Sequence, residues 1–277
     1  MVKDKLSILL STYNSEAFLK EQIDSILSQT IKDWLLYIRD DGSSDRTISI
    51  IEHYCNKYDN IVLLKDDLNN LGAKNSFMKL LTDVKSEYYM FCDHDDVWLP
   101  AKIEKTFNRM KELELSYPQE PLLIFTDLKV VDTDLNVISN SMWRYQNTDP
   151  RHALNVYSLS ISNPVTGCTI MINQKAKEVS FPMSQNSSMH DLWIALNVVN
   201  YGHIDFINES TILYRQHNKN VIGAQKTNRL YYFSKLIQLS KVVKDNIKMI
   251  RMINSLSFKI NHFKRILIKI NTVLGKL

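Results

Sequence analysis

The sequence predicts an α/β protein with a mixed, mainly parallel sheet, helices on both faces of the sheet and a C-terminal helical extension. Three observations support this fold class. Along the first hundred residues, short apolar runs alternate with segments whose apolar residues recur every three or four positions. Polar clusters directly follow three of the apolar runs, as happens where buried strands end at a functional edge. From Leu230 onward the spacing is helical throughout.

The elements can be placed in order along the chain. The first four strands are predicted at 6–13, 35–39, 61–64 and 88–92. Helices are predicted between them at 16–29, 45–54 and 73–84, with Asp45 as the cap of the second helix. Strands and helices alternating at these lengths imply βαβ units, and βαβ units place helices on both faces of a parallel sheet.

The chain beyond Pro100 is predicted to be less regular. A helix is expected through 103–113, and another over 192–199. Strands of a smaller, mixed section are predicted at 122–126, 129–137 and 211–214, with a turn at 134–136. This part of the chain shows no internal repeat.

The composition is that of a globular protein, and the scattered cysteines predict a reducing, cytoplasmic environment. A content of 44% hydrophobic and 23% charged residues supplies a core and excludes a disordered chain. The three cysteines, Cys55, Cys92 and Cys168, are scattered, so neither a disulfide framework nor a zinc cluster is expected. We expect no secretion signal at the N-terminus, and no apolar run reaches the roughly 18 residues of a membrane span.

The charges are unevenly distributed between two predicted units, a body over 1–225 and a tail over 226–277. The tail holds 12 basic residues and one acidic residue, a formal charge of +11. The body holds the other 22 basic and 29 acidic residues, a formal charge of −7. Such an asymmetry points to a partner of opposite charge and says nothing about the fold.

The tail is also predicted to be amphipathic. Its apolar residues recur at helical spacing: Ile260, Phe263, Leu267, Ile270 and Leu274. Basic amphipathic helices bind anionic membrane surfaces, whereas the alternative is a helix packed on the body or on a partner subunit. Nucleic acid is an unfavoured partner, because the stretch 259–277 has no aromatic residue except Phe263.

Three carboxylates lie within four positions at the end of the fourth predicted strand: Asp93, Asp95 and Asp96. Their mutual repulsion favours a bound cation. Carboxylate oxygens suit magnesium or manganese, and these ions bridge to phosphates, so a nucleotide diphosphate is the implied ligand. The alternative is that Asp95 or Asp96 caps the helix beginning near Pro100.

Two further polar segments are less specific. The segment 40–45 contains Asp41, and its pattern is equally typical of a ligand-binding loop and of an ordinary Asp-Gly turn. The segment 70–75 is a turn and helix start in which Lys74 could face a phosphate. The chain contains neither a Walker lysine loop nor a Gly-x-Gly-x-x-Gly motif, which argues against P-loop and dinucleotide enzymes.

Four polar segments occur together in a characteristic order and spacing. They are Ser11-Thr12-Tyr13-Asn14; Asp40-Asp41-Gly42-Ser43 with Asp45; Asn70 with Gly72 and Asn75; and Asp93, Asp95 and Asp96 with Trp98 and Pro100. Together they resemble the inverting family 2 glycosyltransferases, whose fold is the Rossmann-like GT-A fold. The resemblance covers about the first 225 residues.

Three later segments resemble the bacterial rhamnosyltransferase-like subgroup of that family. They are Thr166-Gly167-Cys168-Thr169; His190-Asp191 with Trp193; and Tyr214-Arg215-Gln216-His217 with Asn220 and Val221. The Arg-Gln-His order differs from the Gln-x-x-Arg-Trp of processive synthases. With no predicted membrane span, this difference argues against a processive polysaccharide synthase.

The resemblance implies a role for each matching residue. Ser11 and Asp41 match positions that hold the nucleotide base, and Asp93 matches the position near the ribose. Tyr13 and Lys74 are further candidate nucleotide-binding residues. Asp95 matches the metal ligand, and Asp96 and His217 are further candidate ligands. Arg215 matches a cation that neutralises the diphosphate. Asp191 matches the general base that deprotonates the acceptor hydroxyl, although a carboxylate there could also cap the helix at 192–199.

The implied reaction is the transfer of one sugar from a nucleotide diphosphate donor to a glycan acceptor, with inversion. The subgroup implies dTDP-rhamnose as the donor, with UDP-hexoses as the alternative, and a lipid-linked acceptor in the synthesis of O-antigen, capsule or a similar surface polysaccharide. The implied location is the cytoplasm or the inner face of the plasma membrane, and a homo-oligomer stays open. Two other functions are considered: a nucleotidyltransferase, and a catalytically silent binding module with the same fold.

Overall fold

The computed structural model describes residues 6–218, 223–224 and 239–274 of the chain. Nine strands in this described part form one sheet. They are β1 (Leu6–Thr12), β2 (Leu35–Asp40), β3 (Ile61–Leu63), β4 (Tyr88–Cys92), β5 (Val97–Trp98), β6 (Leu122–Val131), β7 (Val137–Ser139), β8 (Met171–Asn173) and β9 (His203–Arg215). Their spatial order is β3-β2-β1-β4-β8-β6-β9-β5, and β7 pairs with β6.

Helices connect the strands and cover the sheet. The α-helices in the described part are α1 (Leu19–Leu27), α2 (Thr47–Lys57), α3 (Gly72–Asp83), α4 (Lys102–Ser116), α5 (Met142–Tyr145), α6 (Val156–Leu159), α7 (Gln174–Val179), α8 (His190–Tyr201), α9 (Leu239–Asn254) and α10 (His262–Leu274). Two short 3-10 helices lie at Pro150–Leu154 and Gly167–Thr169.

The core lies in two layers, one on each face of the sheet. Successive side chains of β1 point to opposite faces, so Ile8 and Leu10 pack in one layer and Leu9 in the other. Helices α1, α2 and α4 cover the first layer, whereas α3 and α8 cover the second. The predicted α/β fold with helices on both faces is therefore confirmed.

The sheet is parallel on one side and mixed on the other. Strands β3, β2, β1 and β4 run parallel, and their carboxyl ends meet at one edge. The short strand β8 is antiparallel to both β4 and β6, and β6 is parallel to β9. The sequence did not predict β5 or β8, because strands of two and three residues are too short to show a periodicity.

The second strand of the mixed section ends earlier than predicted. The strand expected over 129–137 is instead the end of β6, which stops at Val131. A tight turn follows, in which the Asp132 carboxylate accepts hydrogen bonds from the backbone amides of Asp134 and Asn136 at 3.0 and 2.9 Å. The predicted turn at 134–136 is confirmed, and it separates β6 from β7.

The tail helices pack against the body of the protein. Four apolar side chains of the tail belong to the same core layer as α8: Met252, Ile253, Leu256 and Ile260. The Arg265 guanidinium is buried and donates hydrogen bonds to the hydroxyl and carbonyl oxygens of Ser160, at 3.1 and 3.0 Å. These contacts hold α10 close to α6.

The apolar face predicted for the tail is not the face that packs inward. Of its residues, Ile260 is buried, but Phe263 and Leu267 are 72% and 48% exposed, and the neighbouring Ile266 is 52% exposed. Arg265 occupies the inward position instead. The side chains of Ile270 and Leu274 lie outside the described residues.

The predicted boundary between 1–225 and 226–277 stays a prediction. It falls in a part of the chain outside the described residues, as do Asn220 and Val221 of the rhamnosyltransferase-like segment. None of the described helices has both the length and the apolar character needed to cross a membrane.

Candidate active site

A cleft of about 1070 Å³ opens where the carboxyl ends of β1, β2 and β4 meet. The sequence and the family resemblance name ten candidate site residues, which lie far apart in the chain. Seven of them line the cleft. Those that line it are Ser11, Tyr13, Asp41, Asp93, Asp95, Asp191 and His217. Lys74, Asp96 and Arg215 are not part of the lining.

The end of the cleft beside β1 and β2 is shaped by Asp41. One oxygen of its carboxylate accepts hydrogen bonds from Arg39 at 2.8 Å and from the Leu71 amide at 2.9 Å. The other oxygen accepts from the amide of Gly72 at 2.8 Å. Gly72, the first residue of α3, has a φ of +74°, which glycine adopts readily and which turns the chain back onto Asp41. Segments 40–45 and 70–75 are thus joined by the hydrogen bonds of the Asp41 carboxylate.

Ser11 and Tyr13 complete this end of the cleft. The Ser11 hydroxyl is buried at the end of β1 and donates a hydrogen bond to Ser76 of α3 at 2.7 Å. Tyr13 follows β1 and leaves 49% of its side chain exposed at the cleft. A flat aromatic side chain in this position offers a face for stacking against a planar base.

Lys74 lies in α3 and is not part of the cleft lining. Its ammonium group donates hydrogen bonds to the backbone carbonyls of Gln185 and Ser187, at 3.3 and 3.0 Å. In this structure Lys74 therefore ties α3 to the loop before α8, and its contact with a phosphate stays a prediction.

The three carboxylates after β4 separate into two environments. Asp93 and Asp95 line the cleft together with His94. Asp96 is fully buried beneath it, where its carboxylate accepts a hydrogen bond from the backbone amide of Arg215 at 3.1 Å. Potential ligand atoms of Asp93, Asp96 and Cys168 lie within 4.8 Å of one another. Neither Asp95 nor Asp96 caps α4, because this helix begins after Ala101 and has no side-chain cap.

Burial and mutual repulsion disfavour the charged forms of this cluster. Burial, followed by the charges of Asp95 and Asp191, raises the pKa of Asp93 to about 7. Burial and the neighbouring carboxylates raise the pKa of Asp96 well above its usual range. A cation beside these groups would favour their ionised forms.

Asp95 and His217 form a pair across the cleft wall. The imidazole Nε2 lies 2.8 Å from the carboxylate Oδ2, and the ring stacks on Phe18 with the centroids 5.0 Å apart. The two residues are 122 positions apart in the sequence, and the end of β9 brings His217 to the β4 loop. At this distance the carboxylate and the imidazole share a hydrogen bond. The Asp95 carboxylate is a ligand that magnesium and manganese accept, whereas the imidazole is a nitrogen ligand typical of transition metals, so the pair fits manganese better than magnesium.

Arg215 supports the pair from below. Its guanidinium donates to the carbonyl oxygen of Asp95 at 2.9 Å, to the carbonyl oxygen of Thr133, and to the carboxylate of Glu21 at 2.5 Å. It also lies over the Phe18 ring, 4.6 Å from its centroid. The Arg215 side chain is buried and is not part of the cleft lining. Its hydrogen bonds instead hold the backbone of the loop that carries Asp95.

Asp191 enters the cleft from the first turn of α8. Its carboxylate accepts a hydrogen bond from the Leu192 amide at 2.6 Å. Burial raises the pKa of Asp191 to about 6. A carboxylate with this pKa is ionised at neutral pH and accepts a proton more readily than an exposed aspartate.

Another part of the cleft wall comes from residues that the sequence pattern did not single out for the site. They include Met142, Gln146, Asn163 and Ser188. These residues lie in short helices and loops without periodicity, so nothing in the pattern marks them. Thr166 and Gly167 also line this wall, and the only sequence signal for them is the rhamnosyltransferase-like segment.

The chain is similar to known glycosyltransferases. Residues 7–120 match the family model described as Glycosyl transferase family 2. The chain is 29% identical over 231 residues to dTDP-rhamnosyl transferase RfbG from Shigella flexneri, covering 78% of this chain and 74% of that protein.

Solved structures show the same fold. The structure of S. aureus TarS 1-349 in complex with UDP-GlcNAc matches with a TM-score of 0.58 and 19% identity, over 78% of this chain and 60% of that one. The mannosyltransferase PcManGT from Pyrobaculum calidifontis, in complex with GDP-Man and Mn²⁺, matches with a TM-score of 0.56 and 12% identity, over 79% and 59%. The chain thus spans about three fifths of the length of these structures.

The match over 7–120 contains the Asp41 and Asp95 loops, and the curated relatives extend the similarity over most of the chain. The chain is thus similar to the glycosyltransferases of family 2 and has the GT-A fold of the solved structures.

Proposed function

We propose that the protein transfers a single sugar, with inversion, from a nucleotide diphosphate to a glycan acceptor in the synthesis of a cell-surface polysaccharide. One observation carries the proposal. The Asp95–His217 pair and the Asp191 carboxylate lie in a single cleft, at the edge of the sheet where Asp41 and Ser11 also lie. The preferred donor is dTDP-rhamnose, supported by the similarity to a dTDP-rhamnosyl transferase over 78% of the chain.

The cleft divides into a donor end and a reacting end. Ser11, Tyr13 and Asp41 would bind the nucleoside, with Asp93 near the ribose. Asp95 and His217 would hold a magnesium or manganese ion, which when bound neutralises the charge of the diphosphate leaving group. Asp96 and Arg215 act from beneath, by fixing the backbone of the carboxylate loop and the end of β9.

Asp191 performs the proton transfer in this scheme. The ionised carboxylate takes the proton of an acceptor hydroxyl as its oxygen bonds to the anomeric carbon. The bond from that carbon to the diphosphate oxygen breaks with its electron pair on the leaving group. Attack from the face opposite the nucleotide inverts the configuration in one displacement. A second carboxylate nucleophile is therefore not required.

The proposed acceptor is lipid-linked, and the tail brings the enzyme to the membrane surface. Phe263, Ile266 and Leu267 are exposed on α10, and the exposed cations Lys259 and Lys264 are close to them in the sequence. Apolar side chains surrounded by cations match the interface of an anionic bilayer. Peripheral attachment of this kind would place the cleft near an acceptor carried on lipid.

The first test is a donor panel with the full chain. Hydrolysis and thermal stabilisation are measured with manganese against dTDP-rhamnose, UDP-glucose, UDP-N-acetylglucosamine and GDP-mannose. We expect dTDP-rhamnose to give the largest response, EDTA to abolish hydrolysis, and manganese to restore it.

A matched pair of variants tests whether donor hydrolysis depends on the Asp95 carboxylate. Asp95→Asn should lower donor hydrolysis by at least about 100-fold, since it removes a ligand of the proposed cation. Asp134→Asn, in the exposed β6–β7 turn, should leave hydrolysis unchanged. Full activity of Asp95→Asn, or full activity in EDTA, would contradict the proposed metal site. No response to any donor would favour a silent binding module.

A further inference from the structure

His190 is a buried polar side chain that lies in the cleft wall and has no role in the scheme above. It is the first residue of α8, directly before Asp191, and only 2% of it is exposed. Neither ring nitrogen has a hydrogen-bond partner among the residues that the structure describes. Because a buried donor or acceptor without a partner costs free energy, such a group in a native site calls for a partner.

The surroundings of the ring would suit an apolar side chain better than a histidine. The imidazole lies beside two phenylalanines, with centroids 4.4 Å from Phe77 and 5.2 Å from Phe91. Burial lowers the pKa of His190 to about 3, so the ring is neutral at physiological pH. Packing alone therefore gives no reason for the two nitrogens.

The edge of the ring packs against Gly167. A methyl group on Gly167 would lie 3.0 Å from Nε2 of His190 and 3.8 Å from Cβ of Asp191. Gly167, His190 and Asp191 all line the cleft. The imidazole edge therefore lies in the cleft wall beside Asp191, and any side chain at position 167 would crowd it.

We propose that His190 binds a hydroxyl group of the sugar that lies against Asp191, and so contributes to the choice of sugar. A neutral imidazole has one nitrogen that donates and one that accepts, and a hydroxyl group can pair with either. An anionic phosphate requires donors and is better served by a cation, so a sugar hydroxyl is the fitting ligand. This inference rests on the proposed function, and it covers a hydroxyl of either the donor sugar or the acceptor sugar.

The test compares variants of the full chain. His190→Phe keeps an aromatic ring between Phe77 and Phe91 but removes both nitrogens, and His190→Gln keeps a polar amide near the Nε2 position. Gly167→Ala covers Nε2 without changing the histidine. His203→Phe is the matched control, since His203 stacks on Tyr117 and pairs with Glu120 outside the cleft.

We expect His190→Phe to melt no lower than the wild type and to lose about tenfold or more in kcat/KM, because the sugar hydroxyl loses its partner. Gly167→Ala should show a loss in the same parameter, His190→Gln should recover part of it, and His203→Phe should match the wild type. A higher KM for donor hydrolysis assigns the hydroxyl to the donor sugar. A loss confined to transfer onto octyl glycosides of rhamnose, glucose or galactose assigns it to the acceptor.

Unchanged kinetics of a folded His190→Phe in an active enzyme would overturn this inference alone. If His190→Phe is unstable, His190→Leu compared with His190→Gln decides the same question, and equal activity of the two is the contrary result. A wild type that neither hydrolyses nor transfers any sugar overturns the proposed function, and this inference with it.

Discussion

At the scale of single residues, the surroundings of each carboxylate determine what chemistry it can perform. The five aspartates at the cleft have the same side chain, yet Asp95 pairs with His217 whereas Asp96 is buried beneath the loop. Asp191 stands apart at the start of α8, where burial raises its pKa to about 6. The proposed metal ligand and the proposed proton acceptor therefore lie in one cleft but in different local environments.

The first prediction at this scale concerns the pH dependence of Asp191. The carboxylate acts as a base only when ionised, so kcat/KM should fall by about tenfold for each pH unit below about 6 and level off above it. Asp191→Asn should lower transfer by roughly 100-fold or more and still bind donor by thermal shift. The measurement is a pH profile from 4.5 to 8.5, with circular dichroism at each pH to confirm that the protein stays folded. A rate independent of pH over this range would exclude Asp191 as the base.

At the scale of elements, close contacts between strands and helices fix where the site residues lie. A tight connection joins α8 to β9 through Gly202, where a Cβ atom would lie 2.0 Å from the carbonyl oxygen of Pro121. The adjacent His203 amide donates to the same oxygen at 2.9 Å. This contact sets the start of β9 beside β6, and β9 in turn carries Arg215 and leads to His217.

Gly202→Ala tests the importance of this contact. The added methyl cannot fit without moving the backbone, so the free energy of unfolding should fall by roughly 1–3 kcal/mol. Urea denaturation followed by circular dichroism gives the value. Asn200→Ala, two residues earlier and exposed on the same helix, is the control and should change stability little. Equal stability of the two variants would show that the connection can relax at no cost.

At the scale of the whole molecule, charge and exposed apolar surface are concentrated in the tail. The acidic body carries the cleft, and the tail carries a formal charge of +11 with apolar side chains turned outward from α10. Packing of Met252, Ile253 and Leu256 into the core joins the tail firmly to the body. A surface that binds lipid would therefore hold the whole enzyme in one orientation relative to the membrane.

The membrane proposal predicts a specific loss of binding. Replacing Phe263, Ile266 and Leu267 with serine should weaken co-sedimentation with vesicles of equal phosphatidylglycerol and phosphatidylcholine by at least about tenfold, because apolar insertion is lost. Binding of the wild type should also weaken as salt rises. Donor hydrolysis without vesicles should not change.

The control removes the same number of exposed apolar residues elsewhere. Leu115, Val137 and Ile138 lie outside the tail and are 86%, 52% and 49% exposed. Their triple serine variant should bind vesicles like the wild type. Equal binding by both variants would contradict the membrane proposal, and a wild-type dimer lost only in the tail variant would assign the surface to a second copy of the chain.

Much of the fold and part of the site followed from local sequence signals. Strands β1 to β4 and helices α1 to α4 were predicted because apolar periodicity reports directly which faces of an element are buried. The gathering of Ser11, Asp41 and Asp95 in one cleft followed from the rule that parallel strands end at a common edge. The wall formed by Gln146 and Asn163 could not be predicted, since irregular segments have no period.

The sequence by itself determined the α/β class, the order of the motifs and the edge of the sheet that carries them. Only the tertiary structure decided what each long side chain does, because its partners come from distant parts of the chain. Lys74 binds the carbonyls of Gln185 and Ser187, and Arg215 binds the Asp95 backbone, although both were expected to face phosphates. Arg265 likewise turns inward on the tail and leaves Phe263 at the surface, because Ser160 offers the buried guanidinium two oxygen partners.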